Sequence, residues 1–144
     1  MDPIDVVFHA GAHKTASTHL QQTLSTRDRA LRAHGAVFRG PLPMRDRGQG
    51  VRQCLGLADD QDRDATLAQH LGPCKYLIVS QENYIGVLID DDGFPAHDRL
   101  YPNGPRRLID VAQSMAPHRM HLAFAVRNPA TLMVSAYSQA LMAG

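Results

Sequence analysis

The sequence predicts an α/β protein, a three-layer α/β/α arrangement in which helices cover both faces of a mostly parallel sheet. Three observations carry this. The short runs IDVVFH (4–9), KYLIVS (75–80) and MHLAFAV (120–126) have the nearly unbroken apolar character of strands buried on both faces. Segments with helical spacing separate them, and strands alternating with helices indicate parallel βαβ units. Finally, 144 residues, 44% hydrophobic and 20% charged with mean hydropathy −0.27, are enough for one moderate core, so residues 1–144 read as a single domain.

The elements follow in order. The opening strand ends before Gly11, and from Ser17 the residues Leu20, Leu24, Ala30 and Leu31 form a helical stripe that leaves Gln21, Gln22, Arg27 and Arg32 for solvent. Ser25-Thr26 can divide that helix, and Gly35 ends it. Ala36-Val37-Phe38 reads as a second short strand, and Arg39 to Val51 as a loop rich in Gly, Pro and Arg. Asp59 to Leu71 looks helical and is stopped by Gly72-Pro73, after which Lys75 to Ser80 is a buried strand. Gln81 to Gly104 is irregular. Pro105 suits the first turn of a helix running to about Ser114, Met120 to Val126 is the last strand, and Pro129 to Met142 the last helix.

Charge and composition narrow the function. The net charge of +1 provides no global basic field for nucleic acid or anionic membrane, so an anion site has to be local. No stretch approaches the roughly 20 apolar residues of a membrane helix. The N-terminus carries Asp2 and Asp5 where a signal peptide would be basic, which points to the cytoplasm, and Cys54 and Cys74 fit that compartment as reduced thiols. His9, His13 and His19 lack the spacing of a zinc site, and Asp90-Asp91-Asp92-Gly93 lacks the alternation of a calcium loop, so no metal site is expected.

In open parallel sheets ligands bind beyond the carboxyl ends of the strands. Three unusual stretches fall there: Gly11 to Thr18, Ser80-Gln81-Glu82-Asn83, and Arg127-Asn128-Pro129. The first holds more donors than a turn needs. A strand-to-helix turn exposes unpaired amides at the positive end of a helix dipole, where phosphate or sulfate fits. Gly11 lets the backbone approach, Lys14 adds a point charge, and Thr15, Ser17 and Thr18 can donate hydroxyls or cap the helix. The nucleotide-triphosphate loop has a different spacing: aligned on Gly11, Ala16 stands at its second glycine and Ser17 at its lysine.

These residues resemble a known family. GAHKTASTHLQ (11–21) is similar to the 5′-phosphosulfate loop of sulfotransferases that use 3′-phosphoadenosine 5′-phosphosulfate (PAPS), and AVRNPATLMVSAYSQ (125–139) is similar to their 3′-phosphate segment, an arginine at a strand end with a serine on the next helix. The resemblance implies a P-loop-like nucleotide-binding topology and PAPS as co-substrate. Gly11, Ala12, His13, Lys14, Thr15, Ala16, Ser17 and Thr18 would hold the 5′-phosphosulfate, and Arg127 and Ser135 the 3′-phosphate. Lys14 would neutralise the bridging oxygen as the S–O bond breaks. Glu82 is the candidate base, since some branches of the family use a glutamate there; a solvated loop glutamate is the alternative. His13 is the second candidate, equally readable as an anion contact or as packing. The acceptor would be a small molecule, glycan or lipid bearing a hydroxyl or amine, with no nucleic acid, membrane span or metal involved.

Two departures stand out: Asn128 replaces the aspartate common after the arginine, and Ala16 replaces a frequent glycine. Family members are also usually longer, so the resemblance implies an N-terminal portion of that fold, truncated and with impaired catalysis by itself. Two other readings stay open, a nucleotide-dependent phosphotransferase of the P-loop group and a non-catalytic nucleotide-binding module.

Overall fold

A computed structural model describes residues 1–11, 17–41, 50–59, 62–86 and 101–143. Strand β1 (Asp5–His9) leads to helices α1 (Ser17–Ser25) and α2 (Asp28–Ala33), then β2 (Ala36–Arg39) and a one-turn helix α3 (Val51–Cys54). Next come α4 (Arg63–Leu71), β3 (Tyr76–Ser80) and a 3-10 turn over Glu82–Ile85. The last elements are α5 (Gly104–Ser114), β4 (Arg119–Ala123) and α6 (Pro129–Ala143).

The four strands form one parallel sheet in the order β2-β3-β1-β4. From β1 the chain passes over β3 to reach β2, then reverses and travels through β3 to β4 on the far side of β1. Right-handed crossovers in opposite directions put their helices on opposite faces, which assigns α1 and α2 to one face and α4 and α5 to the other. Side-chain alternation agrees. Val6, Phe8, Leu77 and Val79 are fully buried in a core shared with Leu67 and Leu71 of α4, Val111 of α5, and Met115 just beyond it. Each such side chain contributes about 1.5–3 kcal/mol of burial. The intervening residues His9 and Ser80 face the other way, toward Gln21 of α1.

The expected elements are present, with shifts that have local causes. Thr26 Oγ1 donates to the Thr23 carbonyl at 2.9 Å, a local bond that competes with helix continuation where α1 gives way to α2. Helix α4 starts at Arg63 and not Asp59, because Asp62 caps it, its Oδ1 accepting from the Ala65 amide at 3.1 Å. Val51 opens a helical turn instead of ending a loop. The 3-10 turn at Glu82 interrupts the segment expected to be irregular. Strand β4 stops at Ala123 and leaves out Phe124 to Val126, since its partner β1 ends at His9, opposite Ala123. The largest correction concerns the face of α1. Leu20, expected in the core, is 42% exposed, whereas Gln21, expected in solvent, is 9% exposed. Ser17 and Gln21 lie one turn apart, and that polar pair is the side turned to the sheet.

Among the described residues no helix is long and apolar enough to cross a membrane. The aspartates at 90–92 lie outside the described residues.

Candidate functional site

The carboxyl ends of β1 and β3 lie side by side, with His9 opposite Ser80 in the last register of the pair. The Gln81 amide continues the ladder by donating to the His9 carbonyl at 3.0 Å, which delivers Glu82 to the rim of the sheet beside the end of β1. Gly11, also on that rim, is buried. On the other side β1 adjoins β4, and the Ala10 amide donates to the Ala123 carbonyl at 3.1 Å. The chain segments carrying Gly11, Glu82 and Arg127 therefore leave the sheet from three adjacent strands at one end.

Ser17 is the first residue of α1 and is buried; its hydroxyl donates to Oε2 of Glu82. Beneath this pair lies a second polar layer. His9 Nδ1 and Ser80 Oγ share a 2.8 Å hydrogen bond, and Gln21 Nε2 donates to the same Ser80 oxygen at 2.9 Å. His9, Ser80 and Gln21 are all buried, so each depends on the others for hydrogen bonding. Burial holds the His9 imidazole below its ordinary value, while the Glu82 carboxylate pulls in the opposite direction. The arrangement is a layered one: a neutral buried triad under a hydroxyl–carboxylate pair at a helix N-terminus.

The residues expected from sequence divide into three groups. Gly11, Ser17 and Glu82 come together as described. Ala12, His13, Lys14, Thr15 and Ala16 lie outside the described residues, and Thr18 is exposed on the first turn of α1. Arg127 and Ser135 belong to the segment after β4. Arg127 is exposed and its Nε donates to Thr131 Oγ1 at 3.2 Å; Ser135 is half-buried on α6. Asn128 caps α6, its Oδ1 accepting from the Ala130 amide at 2.9 Å and its carbonyl from the Leu132 amide at 3.0 Å. An aspartate would serve the same capping purpose, so replacing it with Asn128 keeps the helix start intact.

Sequence reasoning passed over His9 and Gln21 as members of the site. The signal for Gln21 was its four-residue spacing from Ser17, which puts both on one helix face. No equivalent signal exists for His9, whose role depends on the register that sets Ser80 beside it.

Chemically, a hydroxyl at a helix N-terminus can donate to an oxyanion, and a half-buried carboxylate next to it can accept a proton. Comparison of the chain with protein-family models, curated proteins and solved structures finds no match.

Proposed function

We propose that this chain carries the donor-binding half of a PAPS-dependent sulfotransferase with P-loop-like topology. The observation behind the reading is the Ser17–Glu82 hydrogen bond, which joins a residue of the candidate phosphosulfate loop to the candidate base across the ends of adjacent strands. The strand, buried glycine and helix start at residues 5–17, and an arginine segment leaving the neighbouring strand, also fit it.

In this reading the backbone amides around Lys14, with Thr15, Ser17 and Thr18, grip the 5′-phosphosulfate, while Arg127 and Ser135 take the 3′-phosphate. An acceptor hydroxyl or amine attacks sulfur in line. The S–O bond to the 5′-phosphate breaks, Lys14 offsets charge on the departing bridging oxygen, and Glu82 receives the acceptor proton. The products are the sulfated acceptor and adenosine 3′,5′-bisphosphate. Ser17 supplies one hydroxyl proton, so an arriving oxyanion competes with Glu82 for it and frees the carboxylate to turn to the acceptor.

Calorimetry decides between the readings. Tight, metal-free binding of adenosine 3′,5′-bisphosphate, exceeding that of ATP with magnesium, is the expected result. Magnesium-dependent ATP binding would point to a phosphotransferase, and binding of neither to a module of another kind.

A further inference from the structure

The two faces of the sheet are held by different chemistry. On the α4 and α5 side the contacts are apolar, through Leu67, Leu71 and Val111. Helix α1 is the opposite: its buried residues are Ser17 and Gln21, while Leu20 is exposed and Leu24 half-buried. A buried amide is costly unless it is hydrogen-bonded, and an apolar side chain at position 21 would hold the helix to the sheet without that cost. What the amide adds is direction. Apolar contact is non-directional and lets packed elements slide, whereas a hydrogen bond needs its donor and acceptor at a set distance and angle.

Both of these polar residues reach one short stretch of chain. Ser17 donates to Oε2 of Glu82, and Gln21 Nε2 donates to Ser80 Oγ at 2.9 Å. The spacings match. Four residues of helix rise about 6 Å, and two residues of extended chain span roughly 6.6 Å; Gln81, between Ser80 and Glu82, is extended, with φ −151 and ψ 98. The two bonds therefore form a two-point clamp that sets both the height and the rotation of α1 against the end of β3. Ser80 has one proton and two lone pairs. Accepting from Gln21 leaves its proton for Nδ1 of the neutral His9 ring at 2.8 Å, so His9 holds the hydroxyl in place for the amide.

We infer that Gln21 is a positioning residue: through Ser80 it fixes the first turn of α1, and with it Ser17 and the start of the helix, for donor binding. The ligand in this inference rests on the sulfuryl-transfer reading; the clamp does not. In that reading an arriving oxyanion takes the Ser17 hydroxyl from Glu82, so the upper bond is exchanged at the moment when the helix start has to keep its place. The lower bond lies one turn beneath, between two buried residues, and is untouched by that exchange. Without it the ligand itself has to order the start of α1. A ligand that fits one of several arrangements loses affinity in proportion to the fraction in which that arrangement is populated.

Gln21→Met keeps the length of the side chain and removes its donor. Amide hydrogen exchange reads the clamp without any ligand: the amides of residues 21–25 in α1 are expected to exchange about tenfold faster, the equivalent of one lost hydrogen bond, while those of α4 keep their rates. Calorimetry reads the consequence, a roughly five- to tenfold weaker binding of adenosine 3′,5′-bisphosphate. Val111→Ala, in the apolar layer on the other face, lowers stability yet should change neither the exchange of α1 nor that affinity, which separates positioning from stability alone. If Gln21→Met fails to fold, Gln21→Asn, whose amide falls one methylene short of Ser80, is read in the same way. Unchanged exchange across α1, or unchanged affinity despite faster exchange, overturns the inference. Faster exchange in the variant, when the unaltered protein binds no bisphosphate, upholds the clamp and removes the sulfuryl-transfer reading.

Discussion

His9 and Ser80 hold the same register on adjacent parallel strands, and their side chains meet at 2.8 Å in a buried layer directly beneath the Ser17–Glu82 pair. Ser80 Oγ is the shared centre, because Gln21 reaches it too. Ser80→Ala therefore strands two buried polar groups at once. A loss of about 1–3 kcal/mol is expected from urea unfolding, the range for a buried donor or acceptor left unpaired. Unchanged stability would mean that water replaces the hydroxyl.

The pH behaviour of His9 is a second test. Burial lowers its value below the usual 6.5, so folding favours the neutral ring. The stability this contributes is complete above about 6.5 and disappears as pH falls through the folded-state value. Glu82 opposes the shift, so in Glu82→Gln the His9 midpoint is expected to move lower still, read by NMR titration of the ring protons. A midpoint that stays where it was would show that Glu82 exerts no field on His9.

At the opposite end of the strands two carboxylates tie termini and strands together. Asp5 accepts from Arg119 Nε and Nη2 at 2.9 and 2.7 Å and pairs with His121 at 2.8 Å; these bonds, that from Arg119 first, hold it at about 2. Asp64, bonded to the N-terminal ammonium, Arg63 and His118, is also held at about 2. Both sit below the ordinary 3.8, so their stabilisation is present above that pH and is lost as pH falls from about 4 toward 2. Asp5→Asn and Asp64→Asn are each expected to flatten the acid limb of a stability-versus-pH curve. Curves parallel to the unaltered protein would refute the assignment.

Two glycines with similar backbone angles should respond differently. Gly35 (φ +73) has nothing within 4 Å of an added Cβ, so Gly35→Ala costs only the left-handed conformation, about 1–2 kcal/mol. At Gly56 (φ +67) the Cβ would lie 2.6 Å from Cα of Arg63 and 2.9 Å from Cβ of Thr66, so α4 has to move. Gly56→Ala should lose clearly more in thermal or urea unfolding. Equal losses would show that α4 shifts freely.

For the proposed function, Lys14→Ala and Arg127→Ala are each expected to weaken adenosine 3′,5′-bisphosphate binding roughly tenfold or more, as loss of a charge-assisted hydrogen bond of about 1.5–3 kcal/mol implies. Glu82→Gln should reduce turnover far more than it changes that binding. Full affinity in both cationic variants rejects the donor site, and full turnover in Glu82→Gln rejects the base.

From the residues alone came the α/β class, the alternation of elements, and the strand-end stretches at Gly11, Glu82 and Arg127. These are local properties, since apolar runs and the glycine, proline and capping signals act over a few neighbours. Only the tertiary structure decided that β1 lies between β3 and β4, that Ser17 meets Glu82, and that Gln21 turns inward while Leu20 faces solvent. The reason is physical. Pairing register and helix rotation are set by contacts among residues 59 to 71 positions apart, as between Gln21, Ser80 and His9, and hydrophobic periodicity contains no information about which buried polar group will find which partner.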